Sequence, residues 1–170
     1  GIIESILSRY PSTAEKVDVS LRLVRRMLKK ATRELDGSKR RLYLNCISSV
    51  LEMIKRVRPA ETQFYKGLEL FLRAQIQPEE SAKIKYYEEA ARVLQSDVLE
   101  SHQAYGPEAA FFSQRCNFEK VIHYELNKQN KKYRECIPGF VRLVNNQSSV
   151  RSLYYLGRIF QKIGNDRAAS

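Results

Sequence analysis

The sequence predicts an all-α protein, and three observations support this prediction. Apolar residues recur at alternating steps of three and four over long segments, which is the spacing of residues on one face of a helix. Alternation of apolar and polar residues nowhere persists over about five residues between turns, so strand signals are nearly absent. Only 7 glycines and 5 prolines interrupt the 170 residues. We therefore expect antiparallel helix pairs.

Composition restricts the class of protein further. With 43% hydrophobic and 29% charged residues, the chain can bury the core of one domain, and it does not have the composition of a disordered or collagen-like protein. No uncharged apolar run approaches the roughly 20 residues that cross a bilayer, and Glu4 and Arg9 stand where a signal peptide is apolar. The 3 cysteines are widely separated, which favours reduced thiols in a core. We expect a soluble cytoplasmic or nuclear protein without membrane insertion.

The first two long helices are predicted to form a hairpin. Ser12 and Glu15 have the spacing of a capping box, which satisfies free backbone donors where a helix begins, and Asp36-Gly37 ends that helix. Its apolar stripe comprises Val17, Leu21, Val24, Leu28, Ala31 and Leu35. The stripe of the second helix comprises Tyr43, Ile47, Val50, Ile54 and Val57. Pro59 ends the second helix, and the short turn between the two predicts antiparallel packing.

Further helices are predicted along the rest of the chain. A third covers residues 60–75, and Pro78 begins a fourth. Gly106-Pro107 marks a break. After it, helices are predicted over residues 107–116, 118–129, 131–144 and 149–163. Pro138 lies inside the third of these, so that helix is predicted to start late, to bend or to be split.

Charge divides the chain into three segments. The net charge is +11. Residues 1–60 carry 14 Lys and Arg against 6 Asp and Glu, residues 61–110 carry 5 against 9, and residues 111–170 carry 11 against 4. Separate basic patches attract anionic partners. We expect one helical domain over residues 1–170, with a basic hairpin over 1–59, an acidic helix pair over 60–104 and a third region over 105–170.

The segment SVRSLYYLGRIFQKIGNDRAA resembles the first helix and turn of a tetratricopeptide repeat, a helix-turn-helix unit of about 34 residues. With Val150 as the first position, the matching residues are Leu153, Leu156, Gly157, Phe160, Gly164 and Ala169. The resemblance implies that Gly157 and Ala169 let two helices approach closely. It also implies that Leu153 and Phe160 fill the space beside them and that the turn falls at Gly164.

A looser copy of the same pattern precedes this segment. It comprises Tyr105, Ala109, Phe112 and Val121, and residues 82–94 resemble the second helix of a repeat. The copies are 48 residues apart from Tyr105 to Leu153, and Cys116 occupies the place of the turn glycine. The sequence therefore predicts an irregular tetratricopeptide-like array, with a single helical bundle as the competing architecture. Because the pattern breaks off at Ser170, we expect a fragment of a longer chain.

The sequence contains none of the common catalytic motifs. There is no phosphate-binding glycine loop, no His-Glu-x-x-His pair and no Gly-x-Ser-x-Gly elbow. His102 and His123 are the only histidines, and the spacing of Cys116, His123 and Cys136 matches no close-paired zinc ligand set. We expect a non-enzymatic protein that uses no metal and no cofactor.

Two groups of residues are candidate binding surfaces. On the last helix, four residues share a face that is distinct from Leu153 and Phe160: Arg151, Tyr154, Arg158 and Lys162. In tetratricopeptide repeats these positions line the groove that holds a partner's peptide. The resemblance therefore implies a cationic groove with an aromatic floor, suited to an acidic peptide or protein partner.

The second candidate is a basic patch on the first long helix, opposite its apolar stripe. It comprises Arg22, Arg25, Arg26, Lys29, Lys30 and Arg33. Such a patch suits a nucleic-acid backbone, an anionic membrane surface or an acidic partner. A membrane is less favoured, since the apolar stripe has a partner in the next helix. The sequence therefore predicts a protein-binding scaffold, with RNA or DNA binding by the two basic ends as the alternative.

Overall fold

The computed structural model describes residues 1–9, 13–147 and 149–169, with side chains as far as Asn165. Within these ranges all regular secondary structure is helical, which confirms the all-α prediction. The predicted cap at Ser12 lies outside the described residues. The helices are α1 (Ile2–Leu7), α2 (Thr13–Arg33), α3 (Gly37–Ile54), α4 (Pro59–Gln75), α5 (Glu80–Leu94), α6 (Asp97–Glu100), α7 (Gly106–Glu119), α8 (Leu126–Gln147) and α9 (Val150–Ala169), with a 3₁₀ helix at Lys120–His123.

Helices α2 and α3 form a hairpin with a side-chain cap at its turn. The Asp36 carboxylate accepts hydrogen bonds from the backbone N–H groups of Ser38 and Lys39, at 2.8 and 3.1 Å. These bonds satisfy two donors that are otherwise free where α3 begins. Burial of apolar side chains between the two helices then holds the hairpin together.

The ends of the two predicted stripes are corrected by the structure. Leu35 follows the end of α2 and is 97% exposed, because the chain has already entered the turn capped by Asp36. Val57 follows the end of α3 and is also exposed. Both residues continue the helical period in the sequence, but neither lies on a helix.

The helix pairs stack in chain order. Within each of the pairs α2–α3, α4–α5 and α8–α9 the helices pack closely, and α7 packs against both α5 and α8. Helices α2 and α4 lie side by side in the same direction, because Arg25 contacts Tyr65 and, further along both helices, Thr32 and Gln75 line one cavity. Helix α7 has the same direction, because Tyr65 contacts Tyr105 just before α7, and Arg115 lies 4.7 Å from the ring of Phe71 further along. Helix α9 continues this row, since Arg151 bonds to Glu108 of α7. We call the surface lined by α2, α4, α7 and α9 the groove face.

The buried apolar residues form two clusters that divide at α7. The larger extends from α2 to α7. The smaller joins α7, α8 and α9 and comprises Phe111, Phe118, Val121, Tyr133, Cys136, Phe140, Leu143, Tyr155, Ile159 and Ile163. Two successive cores are typical of a stack of helix pairs rather than of a single bundle around one core.

The helices around α8 differ from the prediction. Helix α7 continues to Glu119, so the segment expected as one helix over residues 118–129 is divided among the end of α7, the 3₁₀ helix, a short connection and the start of α8. Helix α8 begins at Leu126 and continues through Pro138 to Gln147, so it neither starts late nor splits. Pro138 and Arg134, whose backbone carbonyl lacks a donor at Pro138, are both exposed, so this missing hydrogen bond lies on the solvent side of the helix.

Helix α9 corrects two expectations taken from the repeat pattern. It continues through Gly164 to Ala169, so no turn occurs there. Leu153 and Phe160 are 54% and 59% exposed, and nothing lies within 4 Å of a Cβ placed on Gly157. The residues that α9 buries are Ser152, Tyr155, Ile159 and Ile163. The side chain of Ala169 lies outside the described residues.

A close helix approach in the first core gives a stability prediction. A Cβ on Gly67 of α4 would lie 2.4 Å from Cγ of Leu94 on α5, so Gly67→Ala forces the buried Leu94 side chain, or the helix that carries it, to move. We expect a loss of about 1 to 3 kcal/mol in the free energy of unfolding, measured by urea denaturation. Gly157→Ala on α9 is the matched control, because that site is open and alanine favours a helix. Equal losses for the two variants would contradict the proposed packing of α4 on α5.

Candidate functional site

The groove face begins with a short row of hydrogen-bonded side chains. Arg25 of α2 donates from Nε to the Tyr65 hydroxyl of α4 at 2.7 Å, and that hydroxyl is 3.4 Å from the hydroxyl of Tyr105. Burial raises the pKa of Tyr65, which keeps its phenol neutral at physiological pH. Arg25 is thereby held by a neutral partner and keeps its positive charge for the surface.

Two adjacent cavities follow along the same face. The first, of about 250 Å³, lies between α2, α4 and α7, and the second, of about 350 Å³, lies between α7 and α9. Phe112 and Arg115 of α7 line both cavities. The two cavities are therefore neighbours on the groove face, and Phe112 and Arg115 lie between them.

The second cavity contains two of the four residues predicted on α9. Arg151 and Tyr154 line it on the α9 side, together with Val150 and Tyr155. The α7 side is lined by Phe111, Phe112 and Arg115. Arg158 lies one turn further along α9, with its guanidinium 5.4 Å from the Phe118 ring and 5.9 Å from the Tyr154 ring. Lys162 lies one more turn along and is half-buried. The structure thus places the four residues in one row at the α7–α9 side of the groove face.

Two arginines of the groove already have acidic partners. Arg151 forms a two-pronged ion pair with Glu108, with Nη2 2.5 Å from Oε1, and its guanidinium lies 4.1 Å from the Phe111 ring centre. The Nε atom of Arg115 is 3.7 Å from Oε1 of Glu119. These pairs fix the two guanidinium groups against aromatic rings and reduce the positive charge of the cavity.

On the α7–α9 side of the groove face, the positive charge that remains comes from the end of the row on α9. Neither Arg158 nor Lys162 forms an ion pair with any side chain of the described residues. Arg158 is held in place by two aromatic rings instead. An anionic group of a ligand would therefore meet its strongest attraction beside these two residues, one to two helical turns beyond Tyr154.

The part of the groove that comes from α7 was not among the residues predicted from the sequence. Phe111, Phe112 and Arg115 supply most of the opposite wall, and Arg115 lies 4.7 Å from the Phe71 ring on α4. Their sequence, Phe-Phe-x-x-Arg, places an aromatic residue and an arginine on one helix face, as in α9. This spacing is visible in the sequence. What selects these residues is the side-by-side packing of α7 and α9, which follows from the fold.

Aromatic packing supports the floor of the second cavity. Tyr155 contacts Phe111 and Phe118 in edge-to-face geometry, with ring centres 5.8 and 5.1 Å apart, and it stacks on Phe140 of α8. Burial raises the pKa of Tyr155, so its phenol is neutral at physiological pH. The floor is therefore apolar and rigid, with cationic groups only along its edge.

The six residues of the basic patch on α2 are all exposed. Four of them, Arg22, Arg26, Lys29 and Arg33, follow one another at steps of four, three and four, so they form one line along the helix. None of the six forms an ion pair with a carboxylate of the described residues. In the packing order α4 and α7 lie between α2 and α9, so the patch is a surface separate from the cations of α9.

The cysteines and histidines do not assemble into a site. Cys116 and Cys136 are buried, and burial raises their pKa values to about 12 and about 11, so both are protonated thiols at neutral pH. Cys46 is exposed, which corrects the expectation of a core thiol. His123 pairs with Glu80 and lies against Tyr87. In the part of the chain that the structure describes, no three Cys, His, Asp or Glu side chains are placed to hold a metal ion.

Comparison with known proteins gives no relative. No protein-family model, no curated protein and no solved structure matches this chain. Among the described helices, none combines the length and the apolar character that spanning a bilayer requires.

Proposed function

We propose that this chain is a non-enzymatic interaction module whose groove face binds an acidic peptide or an acidic segment of a protein partner. The observation that carries the proposal is the cavity between α7 and α9, which combines an apolar aromatic floor with a row of cations. Arg158 and Lys162, which have no acidic partner among the described side chains, are the residues proposed to attract the ligand's carboxylates.

The geometry of an extended ligand supports this assignment. Arg158 and Lys162 follow Tyr154 by four and eight residues, which corresponds to about 6 and 12 Å along a helix. An extended peptide covers these distances with about two and four residues. A ligand that places a bulky side chain in the cavity can therefore bring nearby acidic residues beside both cations. The module is proposed to act in the cytoplasm or nucleus, in agreement with its three free cysteines.

Nucleic-acid binding is the alternative that the sequence raised, in the form of one track made by both basic ends. The packing order separates these ends by α4 and α7, and the cavities between them are apolar. The groove therefore favours a peptide, whose side chains fill such cavities. Binding of RNA or DNA by the two basic ends remains the alternative to peptide binding.

The proposal predicts that reversing two charges abolishes peptide capture. The probe is a fluorescein-labelled peptide of alternating leucine and glutamate, measured by fluorescence anisotropy. Replacing both cations, as Arg158→Glu and Lys162→Glu, should weaken binding about a hundredfold or more, because attraction becomes repulsion at two positions. A peptide with glutamine in place of glutamate should bind weakly to the wild type.

The control carries the same change in net charge at another place. Lys128→Glu and Lys131→Glu on α8 are exposed and line neither cavity of the groove face. Circular dichroism spectra of both double variants should match the wild type. If the α9 variant still captures the peptide, or if the α8 variant loses it equally, the groove is not the binding site.

A further inference from the structure

The turn of the α2–α3 hairpin presents an unusual set of exposed side chains. We call residues 29–42 the hairpin tip. Its exposed cations are Lys29, Lys30, Arg33, Lys39 and Arg41. Its exposed leucines are Leu35, which is 97% exposed in the turn, and Leu42, which is 65% exposed near the start of α3. The tip is far along the chain from the α7–α9 cavity and shares no residue with it.

The two acidic residues of the tip, Glu34 and Asp36, offset only part of the charge of its six Lys and Arg residues, and neither forms an ion pair with the five exposed cations. Asp36 is occupied as the cap of α3, and Glu34 accepts a hydrogen bond from the backbone N–H of Asp36 at 3.0 Å. Arg40 is directed back onto the protein, where it donates to the Glu34 carbonyl at 3.1 Å and to the Gln75 side chain at 2.9 Å. None of the five exposed cations forms an ion pair with a carboxylate of the described residues. The tip is thus a concentrated positive surface directed to solvent.

We propose that the hairpin tip binds the surface of an anionic lipid bilayer, with its cations on the headgroups and Leu35 and Leu42 in the interface. Positive charge on the tip complements the negative surface of the bilayer, and the attraction adds up over several Lys and Arg side chains. The interface also receives apolar side chains that water does not solvate well. A bilayer surface therefore accounts for both the exposed cations and the exposed leucines of the tip.

A lipid surface explains the tip better than a nucleic acid does. Phosphates of RNA or DNA pair with the cations but leave the two leucines in water. Helix α2 contains no aromatic residue, which is the type of side chain that usually stacks on exposed bases. The apolar stripe of α2 is buried in the first core, so the helix does not lie in the membrane plane and only the tip makes contact.

Flotation with lipid vesicles tests the proposal. The probe is a vesicle of phosphatidylcholine with about one third phosphatidylserine, and the wild-type chain should bind it at low salt and not bind vesicles of phosphatidylcholine alone. Replacing Arg33→Gln and Lys39→Gln should reduce the partition coefficient about 25-fold, at about fivefold for each charge removed. Leu35→Ser should reduce it about tenfold without any change in net charge.

Matched controls distinguish the tip from general charge and hydrophobicity. Lys128→Gln with Lys131→Gln removes two exposed charges on α8, and Leu126→Ser removes a leucine that is 85% exposed at the other end of the chain. Both control variants should bind vesicles as the wild type does. No binding of anionic vesicles, or an equal loss in the controls, would overturn the proposal. It would also be overturned by tip-dependent binding of a single-stranded oligonucleotide that Leu35→Ser leaves unchanged, which would assign the cations to nucleic acid.

Discussion

Phe140→Ala should destabilise the protein by about 3 to 5 kcal/mol, the largest effect that we expect from a single apolar substitution here. Phe140 of α8 is fully buried at the centre of the second core. Its ring stacks on Tyr155 of α9, with ring centres 5.4 Å apart and an interplanar angle of 4°. Alanine would leave a cavity between α8 and α9 and remove a ring contact at the same time. Urea denaturation followed by far-ultraviolet circular dichroism measures the loss.

Phe160→Ala on α9 is the matched control for this prediction. Phe160 has the same side chain but is 59% exposed, so its removal creates no internal cavity. We expect a change of less than about 1 kcal/mol. The repeat pattern in the sequence instead assigns Phe160 to the packed face. A larger loss for Phe160→Ala than for Phe140→Ala would therefore reject the observed orientation of α9.

Arg73→Met should cost about 3 to 5 kcal/mol, because the buried carboxylate of Glu69 loses the less exposed of its two cationic partners. The Glu69 side chain is 0% exposed and accepts hydrogen bonds from Arg73, including one from Nε at 2.7 Å, while Lys66 Nζ lies 2.9 Å from its other carboxylate oxygen. Arg73 also donates to Asn45 of α3 at 3.3 Å. Methionine keeps the apolar stem of arginine but leaves the carboxylate with a half-exposed lysine. The readout is the free energy of unfolding in urea.

Two further variants isolate the effect of the buried charge. Arg92→Met removes an arginine from the exposed surface of α5, where its pair with Glu89 is long, at 4.0 Å, and a change below about 0.5 kcal/mol is expected. Replacing both partners, as Glu69→Met with Arg73→Met, should recover much of the loss, since no unpaired buried charge remains. If the double variant is less stable than Arg73→Met alone, desolvation of Glu69 is not the cause.

Local sequence signals located the first half of the fold well. The stripe from Val17 to Ala31, the turn at Asp36-Gly37 and the break at Pro59 depend on residues within a few positions of one another, and the structure has each of them. Predictions were weaker where a local signal competed with packing. Pro138 is a helix breaker in isolation, but α8 continues through it because the buried residues on both sides, Cys136 and Phe140, anchor the helix to the second core.

The orientation of α9 shows the limit of periodicity. Two stripes in this helix have helical spacing: one through Leu153 and Phe160, the other through Tyr155 and Ile159. Periodicity makes them equivalent as candidates for burial. Rings contributed by α7 and α8 select the second stripe, because Tyr155 contacts Phe111, Phe118 and Phe140. Which face is buried is therefore a property of the neighbouring helices.

The sequence by itself determined that the chain is helical, where most of its helices lie and which of their residues carry positive charge, because these properties depend on neighbours within one or two turns. It also placed Arg151, Tyr154, Arg158 and Lys162 on one side of one helix. Only the tertiary structure decided that α7 supplies the opposite wall of the groove, that Glu108 of α7 pairs with Arg151 of α9, and that Leu35 lies in water. Each of these depends on contacts between residues distant in the chain or on where a helix ends, and helix packing fixes both.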